Sequence, residues 1–367
     1  MAVAISAIGT AVPKYKSPQL KTVELLISSF KLRPAEIRLL RSIYRASGIE
    51  YRHSVLSDYC SEPGKFEFFH NETSGPFPST AARMKIYKQN ARDLALAAIE
   101  DCLQKQNTAA LDFTHLITVS CTGMYAPGLD IDIVNALAMS SSTKRTAVNF
   151  MGCYGAFNAL KLAYSICKAD ADAKVLIVSV EICTIHFQNN FSLDNIVSNA
   201  IFSDGAAAVI VETVEKNQTS LTLENFHCDL IPAASDQMAW EIADNGFDIV
   251  LSSYVADSIK FGIDEFLQKL LTQVDFKMDA IDFFAIHPGG IKILEGCEHS
   301  LNITKEQNRF SYNVLRKFGN MSSATVLFVL KEIMDSLNEA DDGKNIFSCA
   351  FGPGLTLESM LLKAQCG

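Results

Sequence analysis

The chain has 367 residues, 49% of them hydrophobic and 20% charged, a globular composition that excludes intrinsic disorder and provides for a sizeable core. Lys and Arg number 32 against 41 Asp and Glu, a net charge of −9, so the chain is a poor bulk ligand for nucleic acid or an anionic membrane. At about 150 residues per domain, the length corresponds to two or three domains or one large two-part domain.

Ala2 to Ile8 reads as a strand. Lys31 to Ser47 reads as a helix, with Pro34 near its start and Gly48 just past its end. Thr80 to Gln104 carries a long helical pattern. His115 to Ser120 and Thr146 to Phe150 are buried-strand runs, residues 153–168 form a helix, and Lys174 to Val180 is another buried strand. Strands follow at Ala206 to Glu212 and Ser220 to Phe226. Then come a helix near 255–273, a strand at Phe283 to Ile286, and helices near 290–298, 305–318 and 324–338. Asn345 to Ala350 and Leu355 to Leu362 close the chain as strands. Repeated β-α-β with short polar breaks predicts an α/β layered fold. The stretch near 212–220 divides it into halves, 1–215 and 216–367. A weak echo links them: Ser203-Asp204-Gly205 leads into one strand and Phe351-Gly352-Pro353-Gly354 into another.

No apolar run approaches the roughly 18 to 20 residues of a membrane helix. The first residues lack a basic stretch ahead of an apolar one, so the expectation is a cytoplasmic chain. Ten cysteines, with no C-x-x-C and no zinc-type Cys/His spacing, fit free thiols and predict no metal site. In that setting N-x-[ST] matches such as those at Asn71, Asn217, Asn302 and Asn320 carry no glycosylation meaning.

Three polar residues stand where chemistry is commonly placed. Gly152-Cys153-Tyr154-Gly155-Ala156 lies at a strand-to-helix junction, where the helix dipole and free N–H groups favour a thiolate. From this segment alone a small buried core cysteine is the better reading. His287, in His287-Pro288-Gly289-Gly290, leaves an apolar strand, the end at which active-site groups gather in α/β folds. A hydrogen-bonded structural histidine is the plain alternative. Asn320, in Gly319-Asn320-Met321-Ser322-Ser323-Ala324, reads alone as a turn or helix-start asparagine. Arg38, Arg41 and Arg45 share one helix face. That face suits an anion through bidentate bonding, or simply solvent.

Taken together and in this order, the three motifs and Gly352-Pro353-Gly354-Leu355 resemble those of the type III polyketide synthases, the chalcone and stilbene synthase family of the thiolase superfamily. The resemblance runs nearly end to end. It includes Ser47-Gly48-Ile49-Glu50-Tyr51-Arg52-His53, Cys121-Thr122-Gly123 with Pro127-Gly128, and Phe202-Ser203-Asp204-Gly205-Ala206-Ala207-Ala208. Gly-Cys-Tyr is closer to the bacterial branch than to the plant Gly-Cys-Phe-Ala-Gly. The resemblance implies a homodimer of thiolase-like five-layered αβαβα subunits, each built from two pseudo-repeated halves. It implies acyl-CoA and malonyl-CoA as substrates and no dissociable cofactor. Cys153 would hold the acyl starter as a thioester, and His287 and Asn320 would stabilise the enolate left by malonyl decarboxylation. The arginines would grip the CoA phosphates.

Phe202 falls at the family's phenylalanine between CoA tunnel and active site. A second family phenylalanine aligns with Ile249, a departure for which Phe247 is the alternative occupant. Ser322 and Cys121 match cavity positions, and Cys183 and His186 fall where plant enzymes carry threonines. An ungapped count from Ile249 brings Trp240, the only tryptophan, to the cavity, where plain core is the other reading. Two competing functions remain: a ketoacyl synthase III-type enzyme making one condensation, and a catalytically silent subunit on the same fold.

Overall fold

The computed structural model describes residues 2–29, 32–62, 65–69, 76–104, 108–215, 218–251, 255–273 and 276–367; Asn71 and Asn217 lie outside them. The alternation seen in sequence becomes one nine-stranded sheet with helices on both faces. In chain order the first half supplies β1 (Ala2–Ala11), β2 (Tyr15–Pro18), α1 (Gln19–Ser29), α2 (Pro34–Ala46), β3 (Tyr51–Ser54), α3 (Thr80–Leu103), β4 (His115–Ser120), α4 (Leu129–Ala136), β5 (Lys144–Asn149), α5 (Gly155–Ala169), β6 (Lys174–Ile182), α6 (Leu193–Ile201) and β7 (Asp204–Val214). The second half supplies β8 (Ser220–Leu230), β9 (Met238–Ala243), β10 (Gly246–Leu251), α7 (Val255–Gln273), β11 (Phe283–Ile286), α8 (Ile291–Leu301), α9 (Arg309–Phe318), α10 (Thr325–Ser336), β12 (Asn345–Gly352) and β13 (Thr356–Gln365).

The sheet order is β11-β12-β13-β8-β1-β7-β6-β4-β5. Its two wings follow one plan: β4-β6-β7-β1 in the first recurs as β11-β12-β13-β8 in the second. In each, one parallel pair is followed by two antiparallel pairs. Within the nine-stranded sheet, the described strands of the two wings pair with each other only where β1 meets β8, at Ala4–Thr222 and Ile5–Leu221.

Three apolar cores separate the layers. Strands with side chains on both faces bury both when helices cover each side. In β7, Ala206, Ala208 and Ile210 pack with α3, while Ala207, Val209 and Val211 face the middle layer. That middle layer is α5 and α10, with Phe157, Leu160, Leu327 and Leu330 wholly buried. Each such residue contributes about 1.5 to 3 kcal/mol. On the far side, α7 and α8 cover the second wing through Ile263, Leu267, Leu294 and Cys297. The result is the five-layered αβαβα arrangement, with α5 and α10 sandwiched between the wings.

The layering positions the site. Cys121 follows β4 and His287 follows β11 at matching strand ends. Cys153 precedes α5 and Asn320 precedes α10, the two central helices.

Candidate active site

Cys153 sits in a single 3₁₀ turn, Gly152–Tyr154, that leads into α5. Gly152 has φ +78°, and a Cβ there would collide with Pro353. Only glycine fits that crossing. The turn around Asn320 is its counterpart in the other wing. Gly319 has φ +72°, and a Cβ would approach the Ile201 carbonyl at 2.9 Å. Asn320 is pinned to the segment leaving α6: its N–H donates to the Ile201 carbonyl at 2.9 Å, and its carbonyl accepts from Ser203 at 2.8 Å.

The buried Arg52 guanidinium helps hold that segment. It donates to the carbonyls of Asn199 and Phe202, at the C-terminal end of α6. A cation at a helix C-terminus is favoured by the dipole.

The Asn320 side chain is oriented in turn. Its Oδ1 accepts from the Ser322 N–H at 2.9 Å and from Thr325 Oγ1 at 3.3 Å. This leaves the amide NH₂ toward the Gly289 carbonyl at 3.4 Å. His287 is buried, and neither ring nitrogen has a hydrogen-bond partner among the described residues. Its burial lowers its pKa to about 3, so the imidazole is neutral. The Cys153 thiol stands 3.8 Å from the Ser322 hydroxyl. Burial pushes this thiol up to about 12, with the Ser322 hydroxyl pulling the other way. The helix start that favours a thiolate in the sequence is opposed here by burial, which favours the neutral thiol.

Cys153, His287 and Asn320 line one cavity of about 420 Å³. Of the other residues singled out in the sequence, Cys121, Cys183, Phe202, Ile249 and Ser322 line it too. Trp240 is also on the wall, paired across the β9–β10 hairpin with Ile249, and its Nε1 donates to the Cys121 carbonyl at 2.8 Å.

His186 is not brought in. Its Nε2 bonds the Thr122 carbonyl at 2.7 Å, its Nδ1 accepts from Phe247 N at 3.0 Å, and its ring stacks on Phe247 at 4.1 Å. It is a structural strut behind the wall. Phe247 stands there with it, so the cavity position belongs to Ile249. Arg38, Arg41 and Arg45 are exposed outside the cavity, and Arg41 already pairs with Glu24 at 3.1 Å. Their helix nevertheless contributes Ser42, Ile43 and Ala46 to the lining.

Sequence reasoning missed three contributors. Helix α6 supplies Val197 and Ile201, hairpin β9–β10 supplies Met238 and Leu251, and Glu181 underlies the floor. Two of these had sequence signals. Ser192 caps α6 by accepting from the Asn195 N–H, and Asp244-Asn245 ahead of Gly246 is hairpin punctuation. A buried carboxyl inside an apolar strand gives no such signal. Among the described residues no cluster of metal-ligating side chains forms, and no helix is long and apolar enough to cross a membrane.

Residues 2–214 match the family model described as chalcone and stilbene synthases, N-terminal domain, and residues 222–366 match its C-terminal domain. The chain belongs to the chalcone and stilbene synthase family. Among its relatives is the alpha-pyrone synthesis polyketide synthase-like Pks18 of Mycobacterium tuberculosis, 30% identical over 97% of this chain and 90% of that protein. Probable polyketide synthase 1 of Dictyostelium discoideum is 29% identical over 98% of this chain, which spans only 11% of that much longer protein. The crystal structure of PKS-I from the brown alga Ectocarpus siliculosus superposes with a TM-score of 0.92 at 26% identity, covering 99% of this chain and 98% of that one. The activity is accordingly that of a type III polyketide synthase, a C-acyl condensing enzyme.

Proposed function

We propose that Cys153, His287 and Asn320 carry the reaction, and that it is iterative decarboxylative condensation of malonyl-CoA onto an aliphatic acyl-CoA starter. The supporting observation is that these three side chains meet in one largely apolar cavity of about 420 Å³. Neutral imidazole at His287 is the base that accepts the Cys153 proton, and the thiolate then attacks the starter thioester and expels CoA. The Asn320 N–H not directed to the Gly289 carbonyl and the His287 N–H donate to the malonyl thioester oxygen. Loss of CO₂ leaves the electron pair on the adjacent carbon as an enolate, the charge those donors stabilise. One such donor contributes about 2.7 to 4 kcal/mol of barrier lowering. The enolate carbon attacks the Cys153 thioester, the thiolate leaves, and the extended chain is carried on CoA for the next round. Cyclisation gives a pyrone, a resorcinol or a related polyketide; the pyrone is the product class in the name of the mycobacterial relative.

The aliphatic starter is supported by walls of Ile201, Ile249, Leu251 and Met238, with Trp240 taking up room. Arg38, Arg41 and Arg45 serve CoA binding in this reading, without a dissociable cofactor. The enzyme works as a cytoplasmic homodimer of chains with halves 1–215 and 216–367.

Cys153→Ala tests the assignment. Intact-mass measurement with starter-CoA alone should show acyl mass on the wild type and none on the variant; acyl mass retained by the variant rejects Cys153 as nucleophile. Product mass spectrometry with malonyl-CoA and a starter panel should give two or more malonyl-derived units. A single-condensation β-ketoacyl product would favour the ketoacyl synthase reading.

A further inference from the structure

Behind one wall of the catalytic cavity lies a second, smaller cavity of about 30 Å³. Cys183, Phe202, Trp240 and Ile249 line both and form the partition. Among its described lining residues the small cavity has Arg52 and Ser198 but no carboxylate. Arg52 is 1% exposed. Its Nη1 donates to the carbonyls of Asn199 and Phe202. Its Nε and Nη2 have no hydrogen-bond partner among the described residues, and neither has the Ser198 hydroxyl. The Nε–H of a guanidinium and the Nη2–H beside it point the same way, a fork that grips one acceptor bidentately. The nearby carboxyl of Asp204 does not fill that fork. Its oxygens accept from the Val55 N–H at 2.9 Å, the Thr184 N–H at 2.8 Å and the Thr184 hydroxyl at 2.7 Å. Burial raises the Asp204 pKa to about 7, so near neutrality it carries only part of a charge. The rings of Tyr44 and Tyr59, at 5.5 and 5.7 Å, attract the cation weakly.

We infer that the small cavity is a binding site for one small monovalent anion, held by Arg52 Nε and Nη2 and by the Ser198 hydroxyl. A buried charge without a counter-charge is costly, and an anion on this fork supplies one. A single water needs about 10 to 15 Å³ of such space, so 30 Å³ admits a halide ion and leaves little room for phosphate or an organic acid. The anion takes no part in the condensation. It fixes Arg52, and Arg52 fixes the end of α6 through the Asn199 and Phe202 carbonyls. The same segment receives the Asn320 N–H at the Ile201 carbonyl.

Chloride is the probe, and binding is read without turnover. Thermal unfolding of the whole chain is followed while chloride replaces gluconate, an anion too large for the cavity, at constant ionic strength. The wild-type midpoint should rise saturably, by about 2 to 4 °C at ten times the dissociation constant. Ser198→Ala keeps the guanidinium and should need roughly three- to tenfold more chloride for half of that rise. Arg52→Gln should abolish the rise; if that variant does not fold, Ser198→Ala still decides. Crystals soaked in bromide should show an anomalous peak between Arg52 and Ser198. A midpoint that moves without saturation, and equally in the wild type and Ser198→Ala, is a general salt effect and overturns the inference. So does a cavity that holds only water in the bromide-soaked crystal.

Discussion

Half-buried Cys153 and buried His287 line one cavity, and desolvation opposes the charged form of each: the thiol rises to about 12 and the imidazole falls to about 3. Burial therefore favours a neutral thiol and a neutral imidazole, and in the proposed reaction the proton crosses from sulfur to nitrogen as the starter binds. This has a measurable consequence for stability. Unfolded, His287 takes up its proton near pH 6.5; folded, it does so only near pH 3. Between these values the unfolded chain holds the extra proton, so this residue makes stability fall as the pH drops through that window. His287→Gln removes the effect. From pH 7 to pH 5, the wild type should lose about 2 kcal/mol more than the variant in urea unfolding. Equal losses would mean that the folded imidazole titrates as the unfolded one does, and a smaller loss in the wild type would mean that it is already charged in the fold, as in a pair with Cys153 thiolate. The positions of Cys153, His287 and Asn320 were legible from the order of their glycine-bearing motifs and its resemblance to a family, since each alone also fits a structural residue. Their protonation was not, because it depends on how many layers cover them.

The elements that the sequence gives away are those with one unbroken apolar period. Strands β4 and β11 and helix α7 have the bounds that were predicted. The unpredicted α1, α4 and α6 are short, with few turns over which a stripe can declare itself. The β9–β10 hairpin lies outside the main sheet, and only Gly246 and Phe247 on its second strand are buried. Its alternation marks a wall rather than a core. That wall governs cavity size. Trp240 faces Ile249 across the hairpin and is fixed by its bond to the Cys121 carbonyl. Trp240→Ala should open the cavity and shift products toward longer chains or bulkier starters in mass spectra. It should also cost about 3 kcal/mol in urea unfolding, because a large side chain and one hydrogen bond are lost. An unchanged product distribution with that stability loss would show that the hairpin supports the fold without limiting chain length.

At the scale of the molecule, the question is what holds the two wings in register at the site, since β1 and β8 share only two residue pairs. Part of the answer lies beneath the cavity floor. Glu181, at the end of β6, is fully buried and accepts from the Cys121 N–H at 3.0 Å and from the Thr122 hydroxyl at 2.7 Å, both in its own wing. It also accepts from the Ser323 hydroxyl in the other wing, and Ser323 lies 2.9 Å from the Ser179 hydroxyl. Burial raises the Glu181 pKa, and these donors oppose the rise. One carboxyl thus ties the strand end carrying Cys121 to the turn that follows Asn320. A second cross-wing tie, Lys161 to Glu358 at 2.6 Å, lies farther along α5. Removing the shared acceptor of a buried hydrogen-bond cluster leaves its donors desolvated and unpaired, at about 1 to 3 kcal/mol per group typically a loss of about 3 kcal/mol or more for three donors. Glu181→Ala should therefore destabilise the chain by that amount and lower condensation, because Asn320 loses its lateral support through Ser323. Glu181→Gln keeps the shape but offers a single acceptor oxygen, and should fall between the wild type and Glu181→Ala in urea unfolding. If both variants unfold like the wild type, the wings are held by the α5 and α10 packing alone, and the carboxyl is not a tie between them.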